Sequence, residues 1–369
     1  MLLRNSRVWV LVLVLTALTS SPSALLAQAP NSPDQQPAES PQSSSQPSKG
    51  QTSTSPPEAS PNPNQKTPSE DSQTQANHTQ QSQDQGQADN GVFVFKKEVE
   101  EVMLPATVMD DKNHLVTNLD KGAFSVFENN QPQTITSFRH EDIPVAMGIV
   151  IDNSGSMREK REKVNRAALN LVRSSNPQDQ VFVVNFNDEY YLDQPFTSDI
   201  NKLREALEKV EARGGTALYD AIVASADYMK NNAKLQKKVL FVVTDGEDNA
   251  SRESLEEAVR RMQEENGPTV YAIGLLGEEK ARRARRALET IAQRTGGIAF
   301  LPRTLDEVDQ ISSSVAHDIR NQYTIGYKPT TPKSAGGYRA IRVEARAKGY
   351  GKLVVRTRSG YYPGQESSP

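Results

Sequence analysis

Continuous apolar runs alternate with helically spaced apolar positions through the middle of the chain. Val145 to Ile151 reads VAMGIVI and Gln180 to Phe186 reads QVFVVNF. Unbroken runs of this kind predict strands covered on both faces. Lys238–Thr244, Thr269–Gly274 and the short Ile298–Leu301 continue the series. Between them, Val164, Ala168, Leu171 and Val172 recur at helical spacing, as do Ile200, Leu203, Leu207 and Val210. Leu218, Ile222, Ala226 and Met229 form another such stripe, and Val308, Ile311, Val315 and Ile319 form a closing one. Helices are also predicted over Glu253–Glu265 and Glu278–Arg294. Glu189–Phe196 follows its preceding strand after a link through Asn187 and Asp188. So short a link permits only an antiparallel hairpin. The pattern predicts an α/β fold over residues 143–321. It is a doubly wound, mostly parallel six-stranded sheet with one antiparallel edge strand and helices on both faces.

The flanks have a different period. Residues 92–142 carry short alternating runs, such as Leu104, Ala106, Val108 and Phe124, Val126, with turn residues at Asp110–Asp111 and Asn129–Asn130. Residues 322–363 look alike: Ile341 to Arg346 reads IRVEAR, apolar and charged in turn. Each flank alone is short for an independent core. The expectation is that they pair into one small β-sandwich with the α/β domain inserted between its halves.

The ends are neither. Arg4 and Arg7 precede an apolar stretch, Val8 to Leu18, and then small residues. This predicts a secretory signal peptide over residues 1–27, cut after Ala27, although Ala27-Gln28-Ala29 also fits the small-x-small pattern. The apolar core is short for a span of about 20 residues, so cleavage is preferred to an uncleaved anchor and no membrane span is expected afterwards. Residues 28–91 are Gln, Ser, Pro, Thr and Asn, too poor in large apolar groups to offset their ordering entropy, and read as a disordered linker. Residues 364–369 read as a disordered tail. The expected location is outside the cytoplasm: periplasm, cell surface or medium. The chain has no cysteine, so disulfides contribute nothing, and its net charge of −3 implies no general attraction to nucleic acid.

Chemistry concentrates in three segments: DNSGSM at Asp152–Met157, GGTALYD at Gly214–Asp220 and VVTDGED at Val242–Asp248. The first and third follow predicted strand ends, and the second is a Gly-rich turn before a helix. In open α/β sheets, ligands bind beyond the carboxyl ends of the strands, where strand order reverses. Together the segments offer Asp152, Ser154, Ser156, Thr216 and Asp245, an oxygen-only set. Such a set suits a hard divalent cation, Mg²⁺ first and Mn²⁺ or Ca²⁺ next. Asp220, one helical turn after Thr216, either reinforces the loop or faces solvent. Glu247 and Asp248 either add acidity to the rim or start the next helix.

D-x-S-x-S at Asp152, Ser154 and Ser156, GGT at Gly214–Thr216 and TDG at Thr244–Gly246 together resemble a von Willebrand factor A domain. The flanks, with YTIGYKP at Tyr323–Pro329 and RTRSGYY at Arg356–Tyr362, are similar to a class of secreted, acidobacterial-type proteins with such domains. The resemblance implies a Rossmann-like fold and a metal ion-dependent adhesion site. Ser154, Ser156 and Thr216 would supply hydroxyls, and Asp152 and Asp245 would hold waters and balance charge. It also implies a protein partner whose Asp or Glu replaces a water on the ion.

A catalytic reading lacks its parts. Asn153-Ser154-Gly155 is not a nucleophile elbow, and no histidine lies in the three loops. The expectation is a non-enzymatic, metal-dependent binding or adhesion protein. Two alternatives stand beside it: an envelope-assembly component with a merely stabilising metal, and a subunit assisting a partner enzyme. The basic run Arg282, Arg283, Arg285, Arg286 reads as a solvated helix face, and Tyr190, Tyr191, Tyr361 and Tyr362 as packing aromatics rather than rim anchors.

Overall fold

The computed structural model describes residues 101–277 and 281–364. The expected signal peptide, the linker, the first residues of the 92–142 segment, Glu278, Glu279 and most of the tail lie outside them.

The lead-in forms β1 (Val102–Met109), β2 (Phe124–Glu128), β3 (Gln131–Gln133) and β4 (Ile135–Arg139). The central part runs β5 (Val145–Asp152), α1 (Arg161–Ser174), β6 (Gln180–Phe186), β7 (Tyr190–Thr197), α2 (Ile200–Glu208) and α3 (Leu218–Asn232). It continues with β8 (Lys237–Thr244), α4 (Leu255–Met262), β9 (Thr269–Gly274), α5 (Ala281–Thr295), β10 (Ala299–Phe300) and α6 (Glu307–Arg320). The last part forms β11 (Tyr323–Tyr327), β12 (Arg339–Ala345), β13 (Val354–Arg356) and β14 (Gly360–Tyr361).

The central sheet has six strands in the order β10-β9-β8-β5-β6-β7, parallel except for β7. Every residue of β5 is buried, which is why it carries no polar alternation. Met147, Ile149 and Ile151 point to one face with Val239, Phe241 and Val243, under α1, α2 and α6. Val150, Leu240 and Val242 point to the other, under α3, α4 and α5. Gly148 shares that second face because nothing larger fits: a Cβ there would lie 2.4 Å from Phe182 Cζ and 2.5 Å from Leu240 Cδ2.

The flanking strands make two four-stranded sheets, β13-β1-β11-β4 and β14-β12-β2-β3, each mixing strands from before and after the central part. β1 pairs antiparallel with β11 from Val102↔Tyr327 to Ala106↔Tyr323. β2 pairs with β12 from Glu128↔Ile341 to Phe124↔Ala345. Their apolar positions close one core containing Leu104, Val126, Ile325 and Val343. The β2–β3 turn uses Asn129 and Asn130 at φ 48° and 65°, the left-handed pair that a two-residue hairpin needs.

A buried polar cluster joins the sandwich to the sheet. Asp318 on α6 accepts hydrogen bonds from Thr107 of β1 (3.0 Å) and Tyr271 of β9 (2.5 Å), and pairs with Arg356 of β13. Gln322 donates to Tyr271 Oη (3.1 Å) and Thr107 Oγ1 (3.4 Å).

Two expectations needed correction. The helix expected over Glu253–Glu265 is only Leu255–Met262, because Ser254 caps its start with a hydrogen bond from Glu257 N (3.1 Å). Gln263 is drawn out of the helix end: its side chain donates to Ser359 Oγ (3.0 Å) and Tyr338 Oη (3.1 Å). Tyr190 and Tyr191 do not pack; they stand 50% and 43% exposed at the start of the edge strand β7, whose far end packs through Phe196 against Phe182 and Tyr228. Tyr361 is buried as expected, and Arg282, Arg283, Arg285 and Arg286 are exposed.

Candidate functional site

The site stands at the carboxyl ends of the adjacent strands β5 and β8, where the chain's path through the sheet reverses direction. Asp152 ends β5 and is fully buried. Its Oδ1 accepts the Ser154 amide (2.7 Å), which folds the loop back over the strand end, and its Oδ2 accepts the Thr244 hydroxyl (2.6 Å). Burial raises the Asp152 carboxyl above its ordinary value; the two hydrogen bonds oppose this and Asp245 adds to it. Beneath lies the buried Arg161, pushed down to about 10 by burial while Asp152 and Asp193 hold its charge.

Above Asp152 the oxygens form a chain. Ser154 Oγ lies 3.2 Å from Ser156 Oγ, and Ser156 Oγ donates to Asp245 Oδ1 at 2.7 Å. Thr216 is buried, and its hydroxyl lies beside Gly246: a Cβ on that glycine would stand 3.2 Å from Thr216 Oγ1. Gly246 therefore lets the third loop approach the second. The structure gathers all five expected residues on three loops at one end of the sheet.

Main-chain bonds stitch these loops together. Gly155 N donates to Gly214 O (3.2 Å), Arg213 N to Asn153 O (2.8 Å), and Asn249 N to Thr216 O (3.0 Å). Gly214 sits at φ +74° with its α-carbon against Asp188, whose Oδ1 accepts Gly215 N at 2.8 Å. Asn249 Oδ1 in turn accepts Thr216 N at 2.9 Å.

The donor set fits a hard divalent cation chemically: three hydroxyls and two carboxylates, graded from buried Asp152 to exposed Ser156. The side-chain amide of Asn153, also buried, has no hydrogen-bond partner in the protein. Lys160 supplies a cation from the chain itself, its ammonium paired with Asp245 Oδ2.

Residues 147–247, which include all five positions, match the family described as von Willebrand factor type A domain. Over those residues the chain is similar to a von Willebrand factor type A domain. Over 140 residues it is 31% identical to integrin alpha-11 of Mus musculus, a match covering 35% of this chain and 11% of that protein. The chain thus spans about a tenth of the length of that relative. Among solved structures, von Willebrand factor type A from Catenulispora acidiphila aligns over 74% of this chain and 76% of its own, at 15% identity and a TM-score of 0.43. Proximal thread matrix protein 1 from the mussel byssus, with a zinc-occupied MIDAS motif, aligns over 48% of each chain at 19% identity and a TM-score of 0.40. The PilB minor pilin of Streptococcus sanguinis aligns over 52% of this chain and 64% of its own, at 14% identity and a TM-score of 0.41.

Sequence reasoning left several residues of this region unassigned. Asp220 is a loop anchor: its carboxylate accepts the amides of Arg252 (3.0 Å) and Glu253 (2.9 Å). Asp248 does the reciprocal work, accepting Tyr219 N (3.0 Å) and the Ser251 hydroxyl (2.5 Å). Glu247 turns outward to Arg283 (3.3 Å). Lys160, Asp188 and Asn249 were missed. Only Lys160 carried a sequence signal, a cation close behind the first loop, just before α1.

Proposed function

We propose that this chain is an exported, divalent-metal-dependent protein-binding module of the secreted, acidobacterial-type group. The observation that carries the reading is the run of oxygens from Ser154 through Ser156 to Asp245, set over a buried Asp152 at a sheet switch point. Ser154, Ser156 and Thr216 would hold Mg²⁺ through hydroxyls, and Asp152 and Asp245 would hold its waters and balance charge, with Mn²⁺ or Ca²⁺ as substitutes. When bound, the ion supplies an electrophilic position for a carboxylate, since neutral hydroxyls leave its charge under-compensated. The protein's own contribution is to hold the hydroxyls in place: Thr244 and the Ser154 amide fix Asp152, and Asn249 fixes the Thr216 backbone. The exposed Tyr190, Tyr191 and Leu192 lie on the edge strand beside the Gly214 loop and suit a partner's contact. Among the described residues no helix is long and apolar enough to cross a membrane.

A second reading rests on Lys160. Its pairing with Asp245 balances part of the site's charge without metal, which suits a structural role. Titration calorimetry with Mg²⁺ and Mn²⁺ separates the two readings, using the wild type, Asp152→Ala and Ser154→Ala. The binding reading expects saturable heat that both variants lose, and partner capture that EDTA abolishes. No heat from the wild type sinks the metal reading. Metal binding with EDTA-insensitive capture favours the structural one.

A further inference from the structure

A second cleft lies at the opposite, amino ends of β8 and β9, between the α/β domain and strands β1, β4 and β11. Four cationic side chains line it, Arg139, Lys237, Lys238 and Arg358, together with polar Asn266 and Thr324, and no Asp or Glu is among its described lining residues. Proteins rarely gather like charges in a recess without counter-charges, because each unpaired buried charge is costly.

The existing partners compensate Lys237 and, in part, Arg358, but not Lys238 or Arg139. Arg358 is buried; its Nη2 faces the carbonyl oxygens of Met262, Glu264 and Gly267, each at 3.3 Å, and the one carboxylate acting on it, Glu265, is shared with Lys333. Lys237 is turned away, donating to Ile319 O, with Asp142, Asp179 and Asp318 as its acidic neighbours. Lys238 is half-buried and has no ion pair among the described residues; the charged groups acting on it are Arg358 and Lys230, both cations. The side chain of Arg139 has no ion pair there either. The carboxylates of the adjoining surface recess are already engaged: Glu264 with Lys230 (2.7 Å) and Arg261 (3.4 Å), Glu265 with Lys333 (3.0 Å), and Asp227 with Arg261 (3.3 Å).

We propose that this cleft binds a small oxyanion of the phosphate type, held by Lys238 and Arg139 against the fixed charge of Arg358. The cavity is about 40 Å³, whereas one water needs roughly 10–15 Å³, so the room is that of a few heavy atoms and not of a nucleotide. Guanidinium and ammonium groups in one recess are the donors a tetrahedral oxyanion takes. The cleft joins strands of both parts of the protein, so a bound anion would also tie the sandwich to the sheet. Nothing in this proposal depends on the metal reading.

The test is calorimetry and thermal unfolding of the signal-free chain in chloride buffer, titrated with inorganic phosphate, then with glycerol phosphate. The expected result is saturable binding with Kd of about 1 mM or tighter, a rise in Tm, and at least a tenfold loss of affinity in both Lys238→Met and the more exposed Arg139→Gln. Without phosphate, Lys238→Met is expected to melt no lower than wild type, since it removes an unpaired cation; that control separates loss of binding from loss of fold. Tighter binding of inorganic than of glycerol phosphate supports a free anion, and the reverse supports an anion presented by a larger molecule. The proposal is overturned if phosphate gives no saturable heat. It is equally overturned if the Tm rise is matched by chloride at equal ionic strength, or persists unchanged in both variants.

Discussion

Replacing Asp318 by Asn tests how the α/β domain is fastened to the sandwich. Asp318 is 6% exposed and receives Thr107, Tyr271 and Arg356 from three different strands. Asn keeps the shape and one acceptor oxygen, but turns an amide donor toward a ring of donors and leaves the Arg356 guanidinium without its counter-charge. Hydrogen bonds to charged groups contribute about 1.5–3 kcal/mol each, and breaking one partner out of a buried ion pair costs about 3–5 kcal/mol. One retained acceptor brings the expected loss to about 3 kcal/mol. In a folded part of this size that lowers Tm by roughly 6–12 °C. The assay is urea and thermal unfolding of Asp318→Asn, Arg356→Met and the double variant. The double variant should be less destabilised than the sum of the singles, with a coupling of at least ~1 kcal/mol. Hydrogen exchange should quicken in β1 more than in β6. A loss below ~1 kcal/mol, or strict additivity, would refute a fastening through Asp318.

Four further outcomes are expected. Thr244→Val removes a hydroxyl donor from buried Asp152 and should cost about 1–3 kcal/mol in denaturant unfolding while weakening any Mg²⁺ heat. Asp179 is raised by burial from 3.8 to about 6, so the folded state takes up its proton first. Its contribution to stability is therefore greatest below pH 4 and is lost as pH rises through about 6. Asp179→Asn should flatten that fall in a comparison of denaturation midpoints from pH 4 to 7. Gly148→Ala forces a methyl against Phe182 and Leu240 and should cost about 1–3 kcal/mol, read from urea midpoints. Deleting Tyr323–Pro369 removes the partners of β1 and β2 and should expose the lead-in strands to proteolysis; a Val92–Asp142 fragment that folds alone would contradict this.

The central strands were legible because burial on both faces leaves a long apolar run, and β6 and β9 fall where their runs predict. The sandwich was legible through the alternation in IRVEAR, which becomes the alternating burial of β12, with Ile341, Val343 and Ala345 inward. Asp152 and Asp245 could be read from their places after apolar runs. Asn249 and Asp188 could not: their role is to accept main-chain amides across loops, and no local pattern marks an acceptor whose donor is distant in sequence. Tyr190 and Tyr191 misled because aromatic residues favour strands whether or not a layer covers them.

Thr107 and Gln322 touch in the folded protein yet stand 215 positions apart in sequence. During synthesis at about 5–20 residues per second, β1 therefore waits on the order of 10–40 s for β11 to be made. The α/β layers can assemble in that interval from neighbouring segments, whereas Leu104, Ala106 and Val108 have no long-range partner to cover them. Sandwich closure therefore cannot precede the making of β11, and until then the apolar positions of β1 are the ones a chaperone would have to shield.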